Sequence, residues 1–471
     1  MQGKEEVSFK DRIATIDDRG RRLWIYPKAP RGFYTNLRRL LAFFLIIFMV
    51  GVPFIKVQGH PLFLFDFIGR KFIILGYRFW PQDLYLLMFI AFTIALTIIL
   101  FTSILGRIWC GWACPQTVFM EMVFRPIEYL IEGHPQHQKK LNASAWTGEK
   151  IFKKTIKHLA FFSIAWLVGN ILLAWIIGVD ELYKIVTEPP AKHMSGFIAM
   201  CGFSFLFYFI FSWFREQACT IVCPYARFQS VLLDTNSLMV AYDNIRGEDR
   251  AKLGARKLQG EKESFGDCID CHQCVDVCPT GIDIRNGLQL ECVQCTACMD
   301  ACDIIMGKVN KPRGLIKYSS QDRIEKNQAF RFTPRLLVYS LLILGLLCTL
   351  GYLVITRPDL GFIVNRMRGS LHQTLPDGRI ANLFECKITN NTWIDRKARI
   401  QVRGIDAEIR IPVEEIQIKA SEITKMTFFV VVDPAKMKSR STDIDIVLIS
   451  EGKDLSILRR NFLLPFQGAT R

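Results

Sequence analysis

The sequence predicts a multi-domain membrane protein. It comprises a five-helix transmembrane bundle, a cysteine-rich insert before the fifth helix, and a C-terminal immunoglobulin-like β-sandwich. Three observations carry this prediction. Five apolar runs have spanning length. Eight of the 15 cysteines fall between Cys268 and Cys302. After the fifth run, alternating and β-branched stretches such as Met426–Val432 and Asp443–Ile449 recur between polar turns, as in a small antiparallel sandwich. At 471 residues the chain is too long for one small domain, and half of it is apolar.

Residues 1–36 form a polar, basic segment with no apolar signal-peptide core. The spans cover roughly Leu37–Val57, Gln82–Leu105, Thr155–Gly178, Gly196–Phe214 and Pro334–Ile355. The first four, with their connections, occupy residues 37–238. The insert takes 239–333, the fifth helix 334–356 and the sandwich 357–471. Phe63–Phe79 is apolar too, but Asp66, Arg70, Lys71 and Arg78 interrupt it, which predicts an outer loop with a hairpin or an interfacial helix.

Lysine and arginine set the expected orientation. Residues 1–39 hold ten of them, the loop Gly59–Arg78 three, the loop Arg107–Lys157 eight, and the loop Val179–Ser195 only Lys184 and Lys192. This alternation expects the N-terminus, the Arg107–Lys157 loop and the insert in the cytoplasm, and the sandwich on the far side of the membrane. The formal charge of +16 thus lies beside apolar runs as a topology signal. Nucleic-acid binding would gather it in one basic domain, so no nucleic-acid partner is expected.

The insert carries CIDCHQCVDVCP from Cys268 and CVQCTACMDAC from Cys292. Both follow C-x2-C-x2-C-x3-C, the bacterial two-cluster ferredoxin-like arrangement. Three close cysteines hold one [4Fe-4S] cluster, and the fourth of each run reaches the other. One ligand set is then Cys268, Cys271, Cys274 and Cys302. The other is Cys292, Cys295, Cys298 and Cys278. Pro279 follows the first run, whereas Asp303 stands at the matching place after the second. Zinc would favour two ligand pairs across a longer spacer. Ile269, Val275, Val277, Ile282 and Ile284 can supply a dry shell.

Two further motifs end membrane spans: WCGWACP, Trp109–Pro115, and ACTIVCP, Ala218–Pro224. Their 109-residue separation suggests a duplicated two-span unit, each copy followed by an amphipathic segment, Gln116–Ile131 and Tyr225–Leu238. Proline breaks the helix before it and suits the first position of the next. Cys114 and Cys223 are therefore expected near helix N-termini, where a thiolate is favoured. Cys110, Cys114, Cys219 and Cys223 on one membrane face can bind a soft ion such as Cu(I). The alternatives are small buried packing residues and a redox disulfide, although a cytoplasmic position disfavours a permanent bond.

No histidine lies deep within a span, so paired axial haem ligands are missing. His134 and His137 read as loop residues, Met120 and Met122 as packing residues, and Trp109 and Trp112 as an interfacial belt, with Arg107 and Arg215 at the same boundary. Cys386 reads as a small buried apolar residue.

With these residues placed, the chain resembles the FixG/CcoG/RdxA accessory proteins of the cbb-type cytochrome c oxidase. The resemblance rests on IYPKAPRG near the N-terminus, GRIWCGWACPQTVF, CTIVCPYARFQS, the two cysteine runs and the sandwich tail, and it covers nearly the whole chain. It implies a multi-pass iron–sulfur protein of the bacterial inner membrane, with the sandwich in the periplasm. It also implies a metal-ion oxidoreductase that turns Cu(II) into Cu(I) for oxidase assembly, with Cys110, Cys114, Cys219 and Cys223 as copper-handling or redox residues. Expected partners are the lipid bilayer, oxidase assembly factors, copper chaperones and a cytoplasmic or quinol electron donor. A homodimer stays open. The motifs without the N-terminal signature and the tail also suit a quinol-linked carrier similar to NapH subunits, with no copper role.

Overall fold

The computed structural model describes residues 15–464, apart from 18, 58, 68, 70, 81, 82, 260–264, 288, 330, 332, 368–371, 421, 438 and 440. The first fourteen residues of the basic N-terminal segment, Arg70 of the first loop and the end of the tail lie outside the described residues. The chain forms two units, Met1–Gly76 with Leu87–Cys348, and Tyr77–Leu86 with Thr349–Arg471.

Among the described residues, five helices are long and apolar enough to cross a membrane: Phe33–Phe54, Leu84–Leu105, Gly148–Ile177, Met194–Phe214 and Pro334–Ile355. Phe43, Phe44, Leu341 and Leu342 on them are at least half exposed, as lipid-facing side chains are. Two spans begin earlier than hydropathy predicts, each for a local reason. The first has no capping side chain of its own. Instead, the Asp300 carboxylate accepts from the Thr35 backbone N–H at 2.7 Å and the Tyr34 backbone N–H at 3.1 Å. Gly32 permits this approach, because a Cβ there would lie 2.3 Å from Asp300 Cγ. The third span starts at Gly148 behind the cap Thr147, whose hydroxyl accepts from Lys150 N–H. Lysines in its first turns hide that start from a hydropathy reading.

The third and fourth spans pack through an aromatic core. Phe124, from the helical run after the first C-x3-C-P motif, stacks on Phe211 at 4.7 Å and meets Phe161 edge-on at 4.8 Å. The stretch read as a hairpin or interfacial helix starts as a hairpin, Leu64–Asp66 pairing antiparallel with Lys71–Ile74. The insert is closed at its base by Met239–Tyr242 pairing antiparallel with Ile316–Ser319. Between them lie the short helix Gln273–Asp276 and the helix Ala297–Lys308, packed around Val240, Met299, Met306, Leu315 and Ile316.

In the second unit two antiparallel sheets face each other. One has the order Ala407–Arg410, Ile423–Val432, Ile380–Asn390, Leu360–Arg366, with Gln373–Thr374 also on the third strand. The other runs Ile416–Ile418, Arg396–Arg403, Ser441–Ser450, Lys453–Leu463. Inward positions alternate along each strand, and Val364, Ile388, Val430, Ile446 and Phe462 are wholly buried. Cys386, opposite Met426, sits in this core with no exposed surface, as a small apolar residue would.

Candidate metal centres

The two cysteine runs of the insert share one backbone signature. Asp270 and His272 in the first, and Gln294 and Thr296 in the second, all have left-handed φ of 51, 55, 55 and 62°. They occupy matching places, just before and just after the second cysteine of each run. None is glycine, so each conformation costs about 1–2 kcal/mol. Such winding turns successive backbone N–H groups toward one point and makes an anion-binding concavity. His272 and Thr296 then open the helices Gln273–Asp276 and Ala297–Lys308.

Each run supplies three thiols to one small cavity and a fourth to the other. Cys268, Cys271, Cys274 and Cys302 line the first cavity, with Ile269, Met306 and Leu315. Cys278, Cys292, Cys295 and Cys298 line the second, whose wall also includes Cys274 and Ile282. Burial pushes the thiols of Cys274, Cys292 and Cys302 up to about 12 and that of Cys295 up to about 11. Cys298 is raised as well, by burial and then by Cys295, Cys292 and Cys278. These five buried thiols, which resist ionisation on their own, become thiolates once a metal supplies the opposing charge. The donor set, its dry walls and the converging amides therefore fit iron–sulfur clusters.

The C-x3-C-P motifs break as expected. WCGWACP forms the helix Ile108–Trp112, then Cys114 turns extended (φ −62, ψ 127°) ahead of Pro115. ACTIVCP forms a π-helical turn, Ala218–Val222, then Cys223 does the same (φ −63, ψ 112°) ahead of Pro224. The two copies are tied together. The Gln116 side chain donates to the Arg215 carbonyl at 3.0 Å, the Cys110 thiol to Gln229 Oε1 at 3.5 Å, and the Thr102 and Tyr225 hydroxyls meet at 3.2 Å.

Each of the four thiols lies within charge–charge reach of the other three. Burial first, then Cys114, Cys110 and Cys223, hold Cys219 well above the ordinary thiol range. Burial pushes Cys110 up to about 11, with Cys114 and Cys223 adding to it and Arg107 pulling part of it back. Burial also raises Cys114, against hydrogen bonds from the Gln116 and Thr117 backbone N–H groups, and Cys223 adds to the rise. The expectation that the helix N-terminus makes Cys114 a ready thiolate is thus corrected, because desolvation outweighs the two amides. None of the fifteen cysteines is in a disulfide. Among the described residues, no three His, Cys, Asp or Glu side chains gather closely enough to hold one metal ion.

The insert lies directly on the first motif. A Cβ at Gly111 would stand 2.5 Å from the Val293 carbonyl oxygen and 2.7 Å from the Gln294 backbone. Arg38 donates to the Gly111 carbonyl at 3.0 Å and to the Cys295 carbonyl at 2.8 Å. Arg107 clamps the carbonyls of Leu290 and Ala226. Trp112 Nε1 donates to the Tyr318 hydroxyl at 3.0 Å. Cys110 shares one buried cluster with Val277, Val293, Cys295 and Ala297.

Arg107 and Arg215, just past the ends of the second and fourth spans, are also buried and paired. Arg215 grips Glu128 through two bonds of 2.6 and 2.9 Å. Around them Arg125 meets Glu121 at 3.1 Å, Lys157 meets Glu132 at 2.8 Å and Arg22 meets Glu216 at 3.1 Å. The helical run after Pro115 is therefore amphipathic in an inverted sense. Arg125, Glu128 and Glu132 point inward, while Leu130 is 86% exposed. Of the belt pair, Trp109 is half exposed and Trp112 is turned inward. Met120 is buried packing, and His134 and His137 lie at and on the helix Pro135–Ala143. Sequence reading missed Arg38, Gln229 and Asp300, whose partners lie far along the chain. The close approach of Val293 and Gln294 to Gly111 likewise joins residues far apart in the chain.

Comparison with known proteins gives three family matches: a "4Fe-4S dicluster domain" over residues 214–321, a "4Fe-4S binding domain" over 87–135, and the "IG-like fold at C-terminal of FixG" over 350–465. Protein RdxA of Cereibacter sphaeroides is 35% identical over 81% of this chain and 82% of its own. Protein RdxB of the same organism is 32% identical, covering 83% and 84%. Nitrogen fixation protein FixG of Rhizobium meliloti is 28% identical over 94% and 93%. A crystal structure of a FixG-related protein from Vibrio parahaemolyticus matches 23% of this chain and 97% of its own, at 21% identity and a TM-score of 0.21.

Proposed function

We propose that this chain, which belongs to the FixG/RdxA family of membrane-spanning iron–sulfur redox proteins, reduces Cu(II) to Cu(I) during assembly of a cbb-type cytochrome c oxidase. The observation that carries this reading is the closeness of the C-x3-C-P motifs to the second thiol set of the insert: Cys110 shares a buried cluster with Val293 and Cys295, and Val293 lines both the second cavity and the one at Cys219. Cys268, Cys271, Cys274 and Cys302 would hold one [4Fe-4S] cluster, and Cys278, Cys292, Cys295 and Cys298 the other. Bound there, the clusters supply one-electron relay.

The residues of the chain define the rest. Ile269, Val277, Ile282 and Ile284, all buried, exclude water from the thiols. Arg38 and Arg107 fix the loop Leu290–Cys295 to the first motif. Cys110, Cys114, Cys219 and Cys223 form the redox end, from which one electron passes to each Cu(II) substrate ion. The charge distribution supports an inner-membrane protein with its N-terminus and insert in the cytoplasm and its sandwich in the periplasm. Oxidase assembly factors and copper chaperones are then the recipients of Cu(I). Purified protein given a reduced donor should form Cu(I), read with a Cu(I)-specific chelator. Unchanged reduction after all four C-x3-C-P cysteines become alanine would remove the mechanism.

A second reading, a quinol-linked carrier without copper, is favoured by one cavity. It measures about 740 Å³ and is lined by Trp24, Tyr26, His158, Tyr208, Trp213 and Arg215. His158 Nδ1 and the Tyr208 hydroxyl hydrogen-bond there at 2.9 Å. Quinol oxidation followed by bleaching of the cluster absorbance, with no copper present and no copper reduced, selects this reading.

A further inference from the structure

We propose that Cys110, Cys114, Cys219 and Cys223 are the four ligands of a third [4Fe-4S] cluster. The inference deepens the reading above, because it concerns the same four thiols. It rests on their redox assignment but on nothing about copper.

Four observations carry it. First, the quartet repeats the arrangement of the insert's second set. Among Cys278, Cys292, Cys295 and Cys298, all six pairs of thiols lie within charge–charge reach. The same holds for all six pairs among Cys110, Cys114, Cys219 and Cys223. Second, hydrogen bonds hold the two motifs together. The Gln116 side chain donates to the Arg215 carbonyl at 3.0 Å, the Cys110 thiol donates to Gln229 Oε1 at 3.5 Å, and the Thr102 and Tyr225 hydroxyls meet at 3.2 Å. The pair Cys110 and Cys114 is thereby brought beside the pair Cys219 and Cys223, and a cubane offers each of four thiolates its own corner.

Third, the match to a "4Fe-4S binding domain" over residues 87–135 contains two cysteines, Cys110 and Cys114. A cubane takes four thiolates, and the structure supplies the missing pair from the second motif. Fourth, the surroundings repeat the chemistry of the insert sites. The Gln116 and Thr117 backbone N–H groups point at Cys114. The Arg107 guanidinium lies within charge reach of Cys110, Cys223 and Cys292, so one buried cation serves two neighbouring anionic centres. Pro279, Thr280 and Val293 line both the second cavity of the insert and the cavity at Cys219. The three thiol sets therefore form a series, joined by Cys274 at one wall and Val293 at the next.

The test is a metal count on intact, anaerobically purified protein in detergent. Three clusters give about twelve iron and twelve sulfide per chain. Two clusters give about eight. A count of eight with the four C-x3-C-P thiols open to alkylation overturns the proposal. So does a count of eight with one copper retained on those thiols. In Cys110→Ser/Cys219→Ser the count should fall by about four iron, while the spectroscopic signals of the two insert clusters persist. An unchanged count in that variant overturns the proposal as well. Cys201→Ser serves as the control and should leave the count intact. Should the double variant not fold, Mössbauer spectra of the unaltered protein decide between two and three clusters. Copper reduction is assayed separately, so either reading can fail while the other stands.

Discussion

WCGWACP and ACTIVCP have equal cysteine spacing and opposite surroundings. Both present the second cysteine extended ahead of a helix-opening proline, and both first cysteines are largely buried. Three residues before the first cysteine, one motif has Arg107 and the other Glu216, and both are buried. Arg107 pulls Cys110 toward ionisation, whereas nothing comparable offsets the burial of Cys219. One residue after the first cysteine, Gly111 is matched by Thr220. Gly111 lies under the insert's backbone, while the Thr220 hydroxyl donates back to the Glu216 carbonyl. The two motifs thus share what places thiols and differ in the rest. One is a seat for the insert and the other an anchor in the charged layer beside the bundle.

The sharpest way to break this contrast is at the anchor. Arg215→Met leaves Glu128 buried without its bidentate partner, at a cost of about 3–5 kcal/mol. Thermal unfolding in detergent should show that loss, and Glu128→Gln in the same chain should recover part of it. Burial alone would raise the Glu128 carboxyl, but Arg215, Lys157 and Arg125 hold it below the usual carboxylate range. Its stabilisation is therefore fully present above about pH 4.3. It is lost as pH falls through the lower folded value, and Glu128→Gln should flatten that acid limb.

The seat comes next. Gly111→Val drives a side chain into Val293 and Gln294, costing about 1–3 kcal/mol, and should lower the iron retained by the insert. Thr220→Val at the matching place should change stability by no more than about 0.5 kcal/mol and leave iron unchanged. Equal iron loss in both variants would erase the distinction between seat and anchor. The smallest effect is expected far from both motifs. Cys386→Ala in the sandwich core should cost about 1 kcal/mol with no change in iron or copper chemistry.

Much of this architecture was legible because its signals are local. Spanning length, the cysteine spacing of the insert and the alternation of the sandwich strands each depend on residues close in sequence. The proline breaks after Cys114 and Cys223 were legible for the same reason. What escaped depends on distant partners. The first span begins at Phe33 because Asp300 caps it, and no window of sequence joins those two residues. Arg107 and Arg215 look like topology charges until the carbonyls of Leu290 and Ala226 and the carboxylate of Glu128 are found beside them. The thiol acidity at Cys114 was misjudged because a helix N-terminus is visible in sequence and the depth of burial is not.

Gly111 has a consequence for recognising distant kin. Within WCGWACP it reads as part of a chemical signature, yet it has no side chain with which to ligate a metal or carry a proton. It is a keyhole shaped to another segment's backbone. A search pattern of two cysteines and a proline selects chains that can present thiols at a membrane exit. Adding glycine after the first cysteine selects those in which something must lie flat against that exit.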